Sequence, residues 1–255
     1  MVKEVILEKL LEIYESSKLN SGEPKCIFAE TLIFSEGWLL RGILERWAKW
    51  KHQSKFPFLP FPEDVGIRSE AQLYTPFKKR AREDRTGENN THVDGIVGHF
   101  SIPPNSKSGV KLDKDWEYLA VFEAKMYSEL ADRVANINNY NQVSRNIACI
   151  INSILRTERL GIVHFVVTYP GDNRKIEPAK YTRSFIESQI EHRIRIYEQY
   201  GSNDEFSLFK ERWKDILRGI NIRFITWEEV ISELGNRNIE EFYGLCKKYN
   251  CYEGI

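Results

Sequence analysis

The chain has 255 residues, of which 42% are hydrophobic, and its 37 Lys and Arg are balanced by 37 Asp and Glu. That is enough apolar residue for one substantial core. The zero net charge excludes a protein that grips nucleic acid by bulk basicity, so any phosphate-binding surface must be local.

The cysteines at 26, 149, 246 and 251 form no CxxC pair. This speaks against a zinc ribbon or a redox motif and fits a reducing compartment. Acidic residues interrupt the apolar positions of the N-terminal segment and no small-residue cleavage site follows, so it does not read as a signal peptide. No apolar run approaches the roughly 20 residues of a membrane span. The expectation is a cytoplasmic protein with no membrane partner. The many Trp, Tyr and Phe read as core packing, Cys149 included in that core.

In chain order, residues 3–17 have helical spacing, with Ile6, Leu10, Ile13 and Tyr14 on one stripe. A turn follows near Gly22. Ser35 is a plausible cap for a second helix running through Leu40, Ile43, Leu44, Trp47 and Trp50. Residues 56–62, with three prolines, read as irregular. A short strand is expected at 71–76, then the basic run Lys78, Lys79, Arg80 and Arg82. Residues 92–102 and 117–126 read as a strand pair joined by a turn-rich loop, and 132–156 as a long helix. Residues 161–169 form a continuous apolar strand of the kind buried on both faces. Helices are expected at 179–200 and 205–218, a strand at 221–226, and helices at 227–234 and 238–248. The order predicts an α/β domain with a mixed sheet flanked by helices, and additional helices at both ends.

The chemistry-bearing pattern is Val93-Asp94-Gly95 followed by Phe122-Glu123-Ala124-Lys125. Alternation puts Glu123 and Lys125 on one side of their strand, whose faces are otherwise apolar. Two opposite charges at the end of a buried strand carry a desolvation cost, so they either pair at the sheet edge or serve a site. The strand pairing would bring Asp94 beside Glu123. Two adjacent carboxylates repel unless they share a cation. Magnesium, with manganese as substitute, suits that place because it takes few protein carboxylates and keeps water and phosphate as other ligands. Lys125 is placed to act on the attacking water or on developing negative charge. The set describes metal-assisted phosphodiester hydrolysis.

Asp94 with Glu123-Ala124-Lys125 resembles the motif of the PD-(D/E)xK nuclease superfamily, over roughly residues 35–170, with Val93 where the motif's name has proline. The resemblance implies a restriction-endonuclease-like core at about 35–170 within a single domain spanning 1–255, and a helical and αβ extension at 171–255. It implies metal ligands at Asp94, Glu123, the Ala124 carbonyl and a helix-borne glutamate matched by Glu36, with Glu30 as the fallback. It also implies a supporting Gln142 and a phosphate-facing Arg145 on the next helix. Lys78, Lys79 and Arg80 are candidates for backbone contacts with nucleic acid, expected to be DNA. His92 shares the expected face of Asp94 and is a candidate neighbour, whereas His99 lacks the partners a zinc site needs. Asp172 and Arg174 read as a turn. A homodimer is compatible with this reading. Two other readings stand beside it: a non-catalytic nucleic-acid-binding or scaffold protein on the same fold, and a glycoside hydrolase using Asp94 and Glu123. The adjacent lysine makes the last unattractive.

Overall fold

The computed structural model describes residues 6–19, 30–49, 59, 62, 64–134, 137–157, 159–201 and 204–251. Among them, one five-stranded sheet carries the architecture, in the order β1 (Gly66–Leu73), β2 (Thr91–Gly98), β5 (Tyr118–Ala124), β6 (Ile162–Tyr169) and β7 (Ile220–Thr226). β1–β2 and β2–β5 are antiparallel, and β5–β6 and β6–β7 are parallel, so the sheet is mixed. A two-stranded ribbon, β3 (Phe100–Ser101) with β4 (Lys111–Leu112), sits in the β2–β5 connection.

Helices cover both faces. On one lie α4 (Gln142–Leu155), α5 (Arg183–Glu198) and α6 (Asp204–Gly219), packed on Leu119, Val121, Phe165 and Val167. On the other lie α1 (Ile6–Leu19), the short α2 (Glu30–Ile33), α3 (Glu36–Lys49), α7 (Trp227–Leu234) and α8 (Arg237–Asn250), packed on Tyr118, Ala120, Phe122 and Val166. All seven residues of β5 are buried, as a central strand covered on both sides requires. Each fully buried aliphatic or aromatic side chain here contributes about 1.5–3 kcal/mol. The C-terminal third is integral to this core: β7 extends the central sheet and α8 packs against α3. No helix among the described residues is long and apolar enough to cross a membrane.

Several boundaries differ from the sequence reading for identifiable reasons. The helix expected at 132–156 begins only at Gln142, because Asn139 takes a left-handed φ of 55° and Asn141 caps the helix by accepting from Ser144 N at 2.8 Å. The strand expected at 71–76 starts earlier, at Gly66. The strand expected at 92–102 ends at Gly98. Beyond it, the His99 ring faces the backbone N–H groups of Glu117 and Tyr118. Ile13 is exposed, and Leu7 and Tyr14 carry the buried stripe of α1. Trp50 and most of 56–62 lie outside the described residues.

The β2–β5 contact tolerates no side chain at Gly98: a Cβ there would meet the Tyr118 carbonyl oxygen at 2.4 Å. Gly98→Ala is expected to lower stability by about 2–3 kcal/mol, read as a shift of the urea midpoint.

Candidate active site

The ladder between β2 and β5 runs from Gly98↔Leu119 to Gly95↔Phe122 and stops there. One step further along that register, Asp94 stands opposite Glu123. The ladder ends here, near the carboxyl end of β5, which lies beside that of β6. In open α/β sheets this is the end where ligands bind. Instead of a ladder bond, Asp94 Oδ2 accepts from Ala124 N at 2.7 Å. A strand residue directs its N–H and C=O to the same side, so the Ala124 carbonyl also looks toward β2.

Glu123 is 2% exposed and fully engaged. Its Oε1 accepts from Lys125 Nζ at 2.6 Å and from Gln142 Nε2 at 2.6 Å. Its Oε2 accepts from Asn146 Nδ2 at 2.9 Å. Thr91 Oγ1 donates to Asn146 Oδ1 at 3.1 Å, which fixes the amide with its NH2 toward Glu123. The backbone of Lys125 is pinned from both directions: its N–H donates to the Thr168 carbonyl at 2.8 Å, and its carbonyl accepts from Trp227 Nε1 at 2.8 Å. Trp227 is placed by the Thr226 capping box at the start of α7.

The electrostatics follow from this crowding. Burial pushes the Asp94 carboxyl up to about 7, and the neighbouring Glu123 charge pushes the same way, against the Ala124 N–H. Burial also raises Glu123, against the pull of Lys125 and Asn146. For Lys125 burial acts downward, but contact with Glu123 and the charges of Asp94 and Glu36 outweigh it, so its ammonium is held above the usual lysine value. Glu36, in the first turn of α3, is near enough for its charge to act on both Glu123 and Lys125. Among the described residues, no three Asp, Glu, His or Cys side chains cage a metal ion by themselves.

Asp94, Glu123, Lys125, Gln142 and Ala124 thus meet, with Glu36 beside them. Arg145 does not join them: its guanidinium donates to the Asn89 carbonyl at 2.8 Å and lies 3.6 Å from the buried Glu88. Arg80 is likewise committed, to Asp84 at 3.0 Å and to the Tyr197 carbonyl at 2.8 Å, with its guanidinium 3.7 Å over the Tyr197 ring. Lys78 pairs with Glu205 at 3.2 Å, which leaves Lys79 and Arg82 as the exposed members of the basic run. Glu30 opens α2, and among the described residues no hydrogen bond or ion pair joins it to this set. His92 is exposed and bonds Gln72 at 3.1 Å, away from the site, because β2 does not alternate regularly through Asp94. Asp172 lies in a turn, as expected, and accepts from Tyr127 and Lys247.

The sequence reading missed Asn146 and Thr91. The signal was available in part: residues 142 and 146 are one helical turn apart and share a face. Arg145, three residues on from Gln142, points instead to the loop before β2. Asn146→Ala strips Glu123 Oε2 of its buried donor and is expected to cost about 1–3 kcal/mol in denaturant titration.

Compared with known proteins, the chain matches no family model, no curated protein and no solved structure.

Proposed function

We propose that the protein is a divalent-metal-dependent nuclease that hydrolyses phosphodiester bonds, with DNA as its substrate, on a restriction-endonuclease-like core. The observation that carries this reading is the meeting of Asp94, within β2, and Glu123, near the carboxyl end of β5, where the β2–β5 ladder stops, with Lys125 against Glu123. The run α3, β2, β5, α4, β6 supports the same core. Two buried carboxylates held this close are relieved by a shared cation.

The donor set fits magnesium or manganese. Every candidate ligand atom is an oxygen, from Asp94, Glu123 and the Ala124 carbonyl, with Glu36 adding charge. Two carboxylates, one carbonyl and water are what magnesium accepts. Bound there, the ion supplies an acidified water and neutralises charge on the phosphate. Lys125, kept protonated by its carboxylate neighbours, orients that water and offsets charge gathering on the phosphoryl oxygens. Gln142 and Asn146 hold Glu123 so that its position does not depend on Lys125 alone. Arg80 is committed to Asp84 and the Tyr197 carbonyl, and Arg145 to the Asn89 carbonyl beside Glu88, so a phosphate would have to compete with these acceptors for either guanidinium. The resemblance implies 5′-phosphate and 3′-hydroxyl products.

One observation favours a second reading, a non-catalytic scaffold on the same fold: both oxygens of Glu123 are already satisfied within the protein. A substrate panel separates the two. Plasmid, linear duplex, single-stranded DNA and RNA are incubated with the wild type, with and without Mn²⁺. Manganese-dependent cleavage of DNA is expected, and a protein inert on all four sinks the nuclease reading.

A further inference from the structure

β1 and β2 turn over together at one residue pair, Glu70 and Asp94. In a regular strand, residues two apart keep to one face. On β2, Gly95 faces Leu40 and Leu44 of α3, and Val97 packs in the same α3-side cluster. Yet Thr91 reaches Asn146 of α4, and Val93 packs in the α4-side cluster. On β1, Ile67 packs on the α3 side, whereas Ala71 and Leu73 pack on the α4 side. The register is unbroken across this reversal, from Ser69↔Gly95 to Ala71↔Val93, and only the pair between them drops out of the ladder.

Glu70 has a left-handed φ of 51°; among the described residues the other non-glycine residue with positive φ is Asn139, outside any strand. For an L-residue this conformation is strained. The Glu70 carboxylate pairs with Arg41 of α3 at 3.1 Å, but its side chain is 53% exposed, and such pairs hold little. The backbone, not the ion pair, is the feature that needs explaining.

The reversal has one direct consequence. Counted from Gly95, Asp94 belongs to the α4 face; counted from Val93, it belongs to the α3 face. Its carboxylate therefore lies in the plane of the sheet, where it takes the Ala124 N–H as a ladder carbonyl otherwise would.

We infer that Glu70 is the positioning residue of Asp94: its left-handed backbone turns both strands over and swings the Asp94 carboxylate into the sheet plane, beside the Ala124 carbonyl and Glu123. The use made of that carboxylate rests on the nuclease reading, but the positioning does not.

The test is amide hydrogen exchange at Ala124, followed by NMR on the full chain, with Mn²⁺ titration calorimetry on the same samples. Glycine accepts a left-handed φ without strain, so Glu70→Gly keeps Ala124 protected and raises the melting temperature. Valine is strongly disfavoured there, so Glu70→Val speeds exchange at Ala124 about tenfold or more while Val121 and Phe165 stay protected. Glu70→Gln, which removes the ion pair and the charge that presses on Asp94 but leaves the left-handed backbone to a side chain of the same shape, leaves Ala124 as in the wild type. Ala124 protected as usual in the valine variant overturns the inference, and so does exposure of Ala124 in the glutamine variant. Should the valine variant not fold, the glycine variant decides: a fall in melting temperature or in Ala124 protection overturns the inference. Mn²⁺ affinity falls wherever Ala124 protection is lost. If the wild type binds no Mn²⁺, the nuclease reading fails while the exchange data still decide the role of Glu70.

Discussion

Lys125→Met is expected to lower DNA cleavage by about 10³-fold at saturating Mn²⁺, within the range seen when an acid–base or charge-stabilising group is removed. Methionine keeps the length and apolar stem of the side chain, so packing against β5 survives. Glu123 loses one of its two Oε1 donors but keeps Gln142 and Asn146. Without the ammonium, its buried carboxyl rises further above the ordinary range, because burial already pushes it up and Lys125 is the main counterweight. The fold is retained and DNA binding with it, so the loss falls on the catalytic step and not on affinity. Measurement of kcat separately from KM checks this. A variant that cleaves at the wild-type rate removes Lys125 from the chemistry.

Asp94→Asn is expected to abolish cleavage and yet to make the metal-free protein more stable. Asparagine keeps an oxygen for the Ala124 N–H and removes the charge that faces Glu123. The sign follows from linkage. The wild-type carboxyl titrates near 4 when unfolded and is pushed up to about 7 in the fold. Between those values the folded protein holds a proton that the unfolded chain has released, so stability falls as pH rises through the window and levels off above it. The penalty at pH 8 is on the order of 3–4 kcal/mol, equivalent to about 10 °C in a chain of this size. The melting temperature of Asp94→Asn in EDTA should therefore exceed that of the wild type by about that much at pH 8, with the gap closing toward pH 4. Equal melting temperatures across the whole range contradict an Asp94 carboxyl raised by burial and by the Glu123 charge.

The pairing of the Asp94 and Glu123 strands was legible because strand alternation and the apolar run before Glu123 depend only on local sequence. The placement of Lys125 on the side of Glu123 follows from the same period of two. The α4 boundary was not, since the Asn-rich stretch before Gln142 sits among residues with helical spacing and its break depends on one left-handed asparagine. His92 was misplaced for a related reason: regular alternation was assumed through Asp94, and nothing in the local sequence announces that Glu70, 24 positions earlier, reverses it. The protein partners of Arg145 and Arg80 are not legible in the sequence, because charge in a sequence carries no trace of its partner. Their partners, the Asn89 and Tyr197 carbonyls and the carboxylates of Glu88 and Asp84, are set by tertiary packing. Asn146 escaped notice because an amide in a mostly apolar helix has many possible partners, and its orientation by Thr91 exists only once β2 and α4 pack together.

The central question is whether one divalent ion brings Asp94 and Glu123 into a common shell. Calorimetric titration of Mn²⁺ into the wild type and Asp94→Asn at pH 7, repeated in buffers of different ionisation enthalpy, addresses it directly. The wild type should take up the ion and release about half a proton as it binds, because an Asp94 carboxyl pushed up to about 7 is about half protonated at that pH until the cation arrives. The asparagine variant should show neither heat nor proton release. Binding of equal strength in both proteins, or in neither, contradicts a metal shared by these two carboxylates.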